Sequence, residues 1–187
     1  GFHDKILNKL DSIDIETISY ELRNWNDLEN LSSLISSKIG LNYINYTKPI
    51  INNSLNQCFL RKDNRDIPNV VVLASTKPIL SPNSKSWAGN LLKRLGFNSL
   101  TKNLDSKSQY RGYVNLSPEW LLKNDPDSLI VIETSTGQYS DFGKTKPFSA
   151  LSAVKSNKIY KFDYYGLINA GSLESINKAC KKLKTIK

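Results

Sequence analysis

Between Leu116 and Ile132 the chain reads Leu-Ser-Pro-Glu-Trp-Leu-Leu-Lys-Asn-Asp-Pro-Asp-Ser-Leu-Ile-Val-Ile. The spacing predicts a short amphipathic helix, a Pro-Asp break and then a strand. A continuous apolar run such as Leu129 to Ile132, bounded by turn residues, suits a strand covered on both faces. Strands of that kind constrain a fold strongly, because parallel neighbours must be joined by crossovers that are usually helical. The same alternation runs through the whole of the second half. Val70 to Ala74 reads as a buried strand, Trp87 to Leu95 as a helix stopped by Gly96, and Phe148, Leu151 and Val154 as a short helix. Ile159 to Phe162 reads as a strand, and Leu173, Ile176, Cys180 and Leu183 as one face of a final helix. Only the stretch Asn98 to Gln109 is polar and irregular. The expected class is therefore α/β with a parallel sheet and flanking helices. Ligands of open sheets sit beyond the carboxyl ends of the strands, here the loops Ser75–Ser86, Glu133–Lys146 and Asp163–Gly171.

The first sixty residues read differently. Ile6, Leu7 and Leu10 have helical spacing, and Ile13 to Tyr20 alternates as a strand would. Asn26 or Asp27 is placed to cap a helix from Leu28 to Lys38, with Leu28, Leu31, Leu34 and Ile35 inward and Gly40 closing it. A longer helical pattern follows, with Ile44, Ile51, Leu55, Cys58 and Phe59 on one face and Pro49 at its start or at a kink. Arg61 to Pro68 is polar, ends in proline and reads as a linker.

Hydrophobic content of 39% and charged content of 23% mark a globular protein rather than a disordered one. No segment approaches the roughly 18 apolar residues of a membrane span, and none reads as a signal peptide. The sequence has no methionine, so we expect a fragment or processed form, with Gly1 as a cloning remnant; export stays open. The net charge of +9 admits nucleic acid, an anionic membrane surface or an anionic ligand, or simply a lysine-rich solvated surface.

Cys58 and Cys180 are the only cysteines and His3 the only histidine. That is too little for a zinc site, and a single histidine at the terminus argues against Ser-His-Asp and Cys-His chemistry. Both cysteines fall on apolar helix faces and read as two buried thiols, with a disulfide open in an oxidising compartment. Gly143-Lys144-Thr145 fails as a phosphate loop because Gln138 stands where a glycine is required.

Several pieces match one family in order. Asn69-Val70-Val71-Val72-Leu73 looks like the first strand of a second lobe. Ser86-Trp87-Ala88-Gly89-Asn90-Leu91-Leu92-Lys93-Arg94-Leu95-Gly96 is similar to an "x-G-x-x-L-L-x-x-L-G" helix. The Leu116–Ile132 stretch follows, and Ala153-Val154-Lys155-Ser156-Asn157-Lys158-Ile159-Tyr160 looks like "A-V-K-x-x-x-V-Y". Together they resemble the class III substrate-binding proteins, periplasmic or lipid-anchored receptors that hand ferric siderophores, haem or cobalamin to ABC importers. The resemblance implies a remnant of a first lobe over 1–40, an interlobe helix and linker over 41–65, and a complete Rossmann-like second lobe over 66–187. It departs at the front, where the family's opening strands and glutamate motif have no counterpart.

By the same resemblance the chain is a monomeric receptor that performs no chemistry, carries no cofactor and delivers a ferric chelate of the siderophore or iron-dicitrate type to ABC permease subunits. Haem and cobalamin are the alternatives within the family. Its lobes move little, because the joining helix is stiff. Glu119 matches the second-lobe glutamate that pairs with permease arginines; it also suits the first turn of its helix for dipole reasons alone. Trp87, Tyr110, Arg111, Tyr139, Tyr164 and Tyr165 lie in or beside the cleft-edge segments, and Arg23 and Trp25 follow the expected first-lobe strand. Arginine forks suit the carboxylates of a chelate and aromatic rings its flat parts, while packing is the alternative role for each aromatic, above all Trp87. Two other classes remain on the sequence alone. A basic nucleic-acid-associated α/β domain would show strong salt dependence. An enzyme on a related metal-binding scaffold would need clustered cysteine or acidic ligands that the sequence does not supply.

Overall fold

The computed structural model describes residues 4–59, 67–105, 110–133 and 142–186. An amino-terminal helical segment packs on an α/β unit. The segment holds α1 (Asp4–Asp11) and α2 (Trp25–Lys38), then a π-helical turn (Tyr43–Thr47) leading into α3 (Lys48–Ser54) and a 3-10 turn (Asn56–Cys58). The α/β unit runs β1 (Asn69–Leu73), β2 (Ser75–Thr76), β3 (Ile79–Pro82), α4 (Trp87–Arg94), β4 (Asn98–Ser99), β5 (Tyr113–Asn115), α5 (Pro118–Asn124) and β6 (Ser128–Glu133). It ends with α6 (Ser152–Lys155), β7 (Ile159–Asp163), α7 (Tyr164–Leu167) and α8 (Leu173–Leu183).

Four strands form a parallel sheet in the order β4-β1-β6-β7. Val70 pairs with Ser128 and Leu73 with Val131, and Leu129 pairs with Ile159. The apolar runs are continuous because both faces are covered. Val70, Val72, Ile130 and Ile132 point into one core with α4 and α8. Val71, Leu73, Leu129 and Val131 point into the other, with Leu121 of α5 and Ala153 of α6. Alternate residues of one strand thus supply two cores.

The Asn124-Asp125-Pro126-Asp127 break has three separate jobs. Asp125 takes the left-handed conformation, φ 35°, and caps α5. Its carboxylate accepts the Ser152 backbone N–H at 2.8 Å and the Ser152 hydroxyl at 2.6 Å, fixing the start of α6. Asp127 accepts the Asn69 N–H at 2.8 Å, at the start of β1. Gly89 lets α4 lie against the preceding turn, since a Cβ there would stand 1.9 Å from the Asn83 carbonyl oxygen.

Five expectations change. Ile13 to Tyr20 forms no strand: the residues are exposed, and no neighbouring strand is present among the described residues to satisfy their backbone groups. In α2 the cap is Asn24, whose side chain accepts the Asp27 N–H at 3.0 Å while Asp27 accepts the Asn24 N–H at 3.2 Å. This capping box starts the helix at Trp25 and turns Trp25 and Leu28 inward, leaving Leu34 and Ile35 exposed. The single helix expected over 41–65 is three short pieces through Cys58, Pro49 sitting in the first turn of α3; 60–66 lie outside the described residues. The loop Ser75–Ser86 contains the β2–β3 hairpin, extended by β5 into a small antiparallel sheet. Cys58 and Cys180 are bonded rather than free thiols, with Cα atoms 5.0 Å apart and both side chains fully buried. The sequence could not show that α8 returns beside the 3-10 turn.

Candidate cleft at the carboxyl end of the sheet

Both parts of the chain meet over α4. The Trp25 indole stacks on that of Trp87, centroids 6.4 Å apart and planes within 9°. The Arg94 guanidinium lies 3.7 Å from the Trp25 ring centroid, and its Nε donates to the Cys58 carbonyl at 3.1 Å. Asn90 Oδ1 accepts the Trp25 backbone N–H at 3.2 Å, tying the start of α2 to the middle of α4. A stacked pair is worth about 1 kcal/mol beyond its burial, and a partly desolvated cation over an indole roughly another 1–2. Burial lowers the Arg94 pKa and Glu29 opposes the change; a guanidinium stays charged all the same.

Beside this junction opens a hollow of about 360 Å³. From the amino-terminal segment it takes Arg23, Trp25 and the cap region of α2; from the α/β unit it takes Lys85, Asn90 and Arg111. Lys85 pairs with Asp105 at 3.0 Å, and Arg23 lies 3.4 Å from Glu21. The second contact is an ion pair without hydrogen-bond geometry, which leaves the buried Arg23 Nε with no hydrogen-bond partner. No acidic side chain lines the hollow among the described residues. The site is therefore cationic and polar, with one indole as a wall.

The remaining candidates lie at the same end of the sheet. Trp87 is 3% exposed, and its Nε1 donates to the Gly166 carbonyl at 3.0 Å. It supports the loop after β7 from inside the core. Tyr164 and Tyr165 lead out of β7, exposed and edge-to-face at 5.5 Å. Tyr165 packs over Gly171 and borders a separate hollow of about 250 Å³ against α8, with Asp163, Lys178 and Lys182. Tyr110 is exposed beside Arg111. Tyr139 lies outside the described residues. Sequence reasoning missed Lys85 and Asn90, which line the hollow. Burial and the neighbouring Tyr164 push the Tyr113 hydroxyl up to about 12. Lys85 and Asn90 flank the Ser86 helix cap three residues ahead of Gly89, and that signal could have placed them.

Glu119 is fully exposed in the first turn of α5. Its own backbone N–H, then the Ser117 hydroxyl, hold its carboxyl below the ordinary range. Leu116 N donates to Ile79 O at 2.9 Å, so this helix start adjoins the β2–β3 hairpin at the cleft end.

No family model and no curated protein matches the chain. Solved structures do match its fold. An ABC transporter substrate-binding protein from Listeria monocytogenes EGD-e is 15% identical, with 97% of this chain and 72% of that one aligned at a TM-score of 0.68. A possible iron-binding (periplasmic solute-binding) protein from Staphylococcus epidermidis ATCC 12228 is 19% identical, over 97% and 69%, at 0.72. IsdE of S. aureus, complexed with heme, is 16% identical, over 96% and 72%, at 0.62. At these identities the likeness establishes the fold.

Proposed function

We propose that this chain, which has the fold of ABC-transporter substrate-binding proteins, is the ligand-binding part of an importer receptor of the class III type. It binds a ferric chelate of the siderophore or iron-dicitrate kind and releases it to a permease without chemistry. The observation that carries the reading is the Arg23–Arg111 hollow, built by the amino-terminal segment and the α/β unit together at the carboxyl end of a parallel sheet. Segment 4–40 then acts as part of a first lobe and residues 67–186 as the second. Guanidinium groups on both sides of the hollow suit chelate carboxylates. The Cys58–Cys180 disulfide supports an extracytoplasmic setting, periplasmic or on the outer face of a membrane. No helix among the described residues is long and apolar enough to cross a membrane. Glu119 takes the permease-docking role, being exposed and anionic beside the cleft end. Haem and cobalamin are the competing ligands.

The test is thermal stability with ferric citrate, ferric hydroxamates, haem and cobalamin, on this chain and on a longer form carrying further upstream sequence. Ligand binding to the native state raises the melting point, by about 2.7 kcal/mol of stabilisation at a hundred times Kd. A shift with one ligand class supports the receptor. No shift in either form, alongside salt-sensitive binding to DNA or RNA, removes it in favour of a basic nucleic-acid-associated domain.

A further inference from the structure

The cleft hollow does not end at Asn90. On the other side of that residue a second hollow of about 450 Å³ continues along α4, lined by Asn90, Lys93, Arg94 and Phe59. Asn90, Lys93 and Arg94 stand at helix positions i, i+3 and i+4, which share one face. The two hollows share Asn90 as a wall, with Arg23, Lys85 and Arg111 lining one and Lys93 and Arg94 lining the other. No acidic side chain lines either part among the described residues. The nearest acids are engaged: Asp105 with Lys85, Glu21 with Arg23, and Asp27 with the Arg23 and Asn24 backbone N–H groups. Glu29 acts on Arg94 from outside the lining. Among the described residues Lys93 and Arg111 have no ion-pair partner, so both retain capacity for an anion. From the Ser86 cap to Arg94 the helix rises about 12 Å.

We propose that the two hollows form one groove along α4 that acts as a two-point anion site, and that the ligand is an elongated small molecule with at least two anionic groups. One group docks among Arg23, Lys85 and Arg111. The other docks at Lys93 and Arg94, and the stretch between them lies against Asn90 and the edge of Trp25. A compact neutral chelate fills only the cleft end. The inference rests on the receptor reading for the identity of the ligand, and on the groove alone for its charge.

The experiment measures affinity by calorimetry and thermal shift for three probes: ferric citrate, the hydroxamate chelate ferrioxamine B, and iron-free tripolyphosphate. The proteins are the parent chain, Lys93→Glu, Arg111→Glu and, as a control away from the groove, Lys155→Glu. The expected result is about tenfold weaker ferric citrate binding for each groove variant, the loss typical of one charge-assisted contact. Ferrioxamine B is then unaffected by Lys93→Glu, and Lys155→Glu matches the parent. Ferric citrate binding that Arg111→Glu weakens and Lys93→Glu leaves unchanged overturns the two-point site and leaves the receptor standing. Tripolyphosphate binding that both variants abolish, with no response to either chelate, supports the groove while removing the receptor reading. Absence of binding by all three probes overturns the two-point site.

Discussion

Replacing Cys58 and Cys180 together with alanine tests the tie between the end of the helical segment and α8. The bond closes a loop with a sequence separation of 122. Chain entropy for a loop of that length gives about 5 kcal/mol at 25 °C. The two lost sulfurs come from fully buried positions, so a small void adds to the loss. Unfolding entropy of about 2.1 cal/mol/K per residue scales to roughly 0.4 kcal/mol/K for a chain of this size. The double variant should therefore melt about 12 °C below the parent. Circular dichroism melts, with and without dithiothreitol, measure this, and thiol labelling of the denatured, unreduced parent counts free cysteines. The expected parent has none, and reduction alone should reproduce most of the loss. A drop below about 3 °C, or two labelled thiols in the unreduced parent, would refute the reasoning. Because Arg94 donates to the Cys58 carbonyl and stacks on Trp25, the reduced protein should also show altered tryptophan fluorescence.

Two further outcomes follow from particular side chains. The Tyr113 hydroxyl, raised from 10.0 to about 12 by burial and Tyr164, favours the neutral ring in the fold. Its contribution is complete below pH 10 and is lost as pH climbs from 10 to 12, by about 2–3 kcal/mol; Tyr113→Phe should flatten that fall, and absorbance at 295 nm should lose its last-titrating tyrosine. Glu119, held low by its backbone N–H and Ser117, contributes above the ordinary carboxylate pKa and ceases to as pH falls through its lowered value. Glu119→Lys should slow association with the permease in proteoliposomes about tenfold at low salt, with the difference closing near 1 M. Equal rates at low salt would dismiss the docking role.

Continuous apolar runs and the 3.6-residue period were enough to place every long element of the α/β unit, because its strands are buried on both faces and its helices on one. Ser128–Glu133 and Leu173–Leu183 fall where their apolar residues predicted. The same rules misled at Ile13–Tyr20, where alternation promises a strand but no partner strand is present among the described residues to satisfy the backbone. Arg23 and Trp25 enter the candidate set from their place after an expected strand that does not form, and Arg111 from its place beside a cleft-edge segment. Their convergence on one hollow was not legible, since it needs Asn90 to hold the Trp25 backbone from 65 residues away.

By itself the sequence determined the α/β class and the order of the long strands and helices of the α/β unit. Those follow from local periodicity and from which side chains exist. Only the tertiary structure decided that Cys58 meets Cys180, that Trp87 is a buried support under Gly166, and that Arg23, Lys85 and Arg111 line one hollow. Each of those depends on which faces of distant elements are pressed together, and local periodicity carries no information about that pairing.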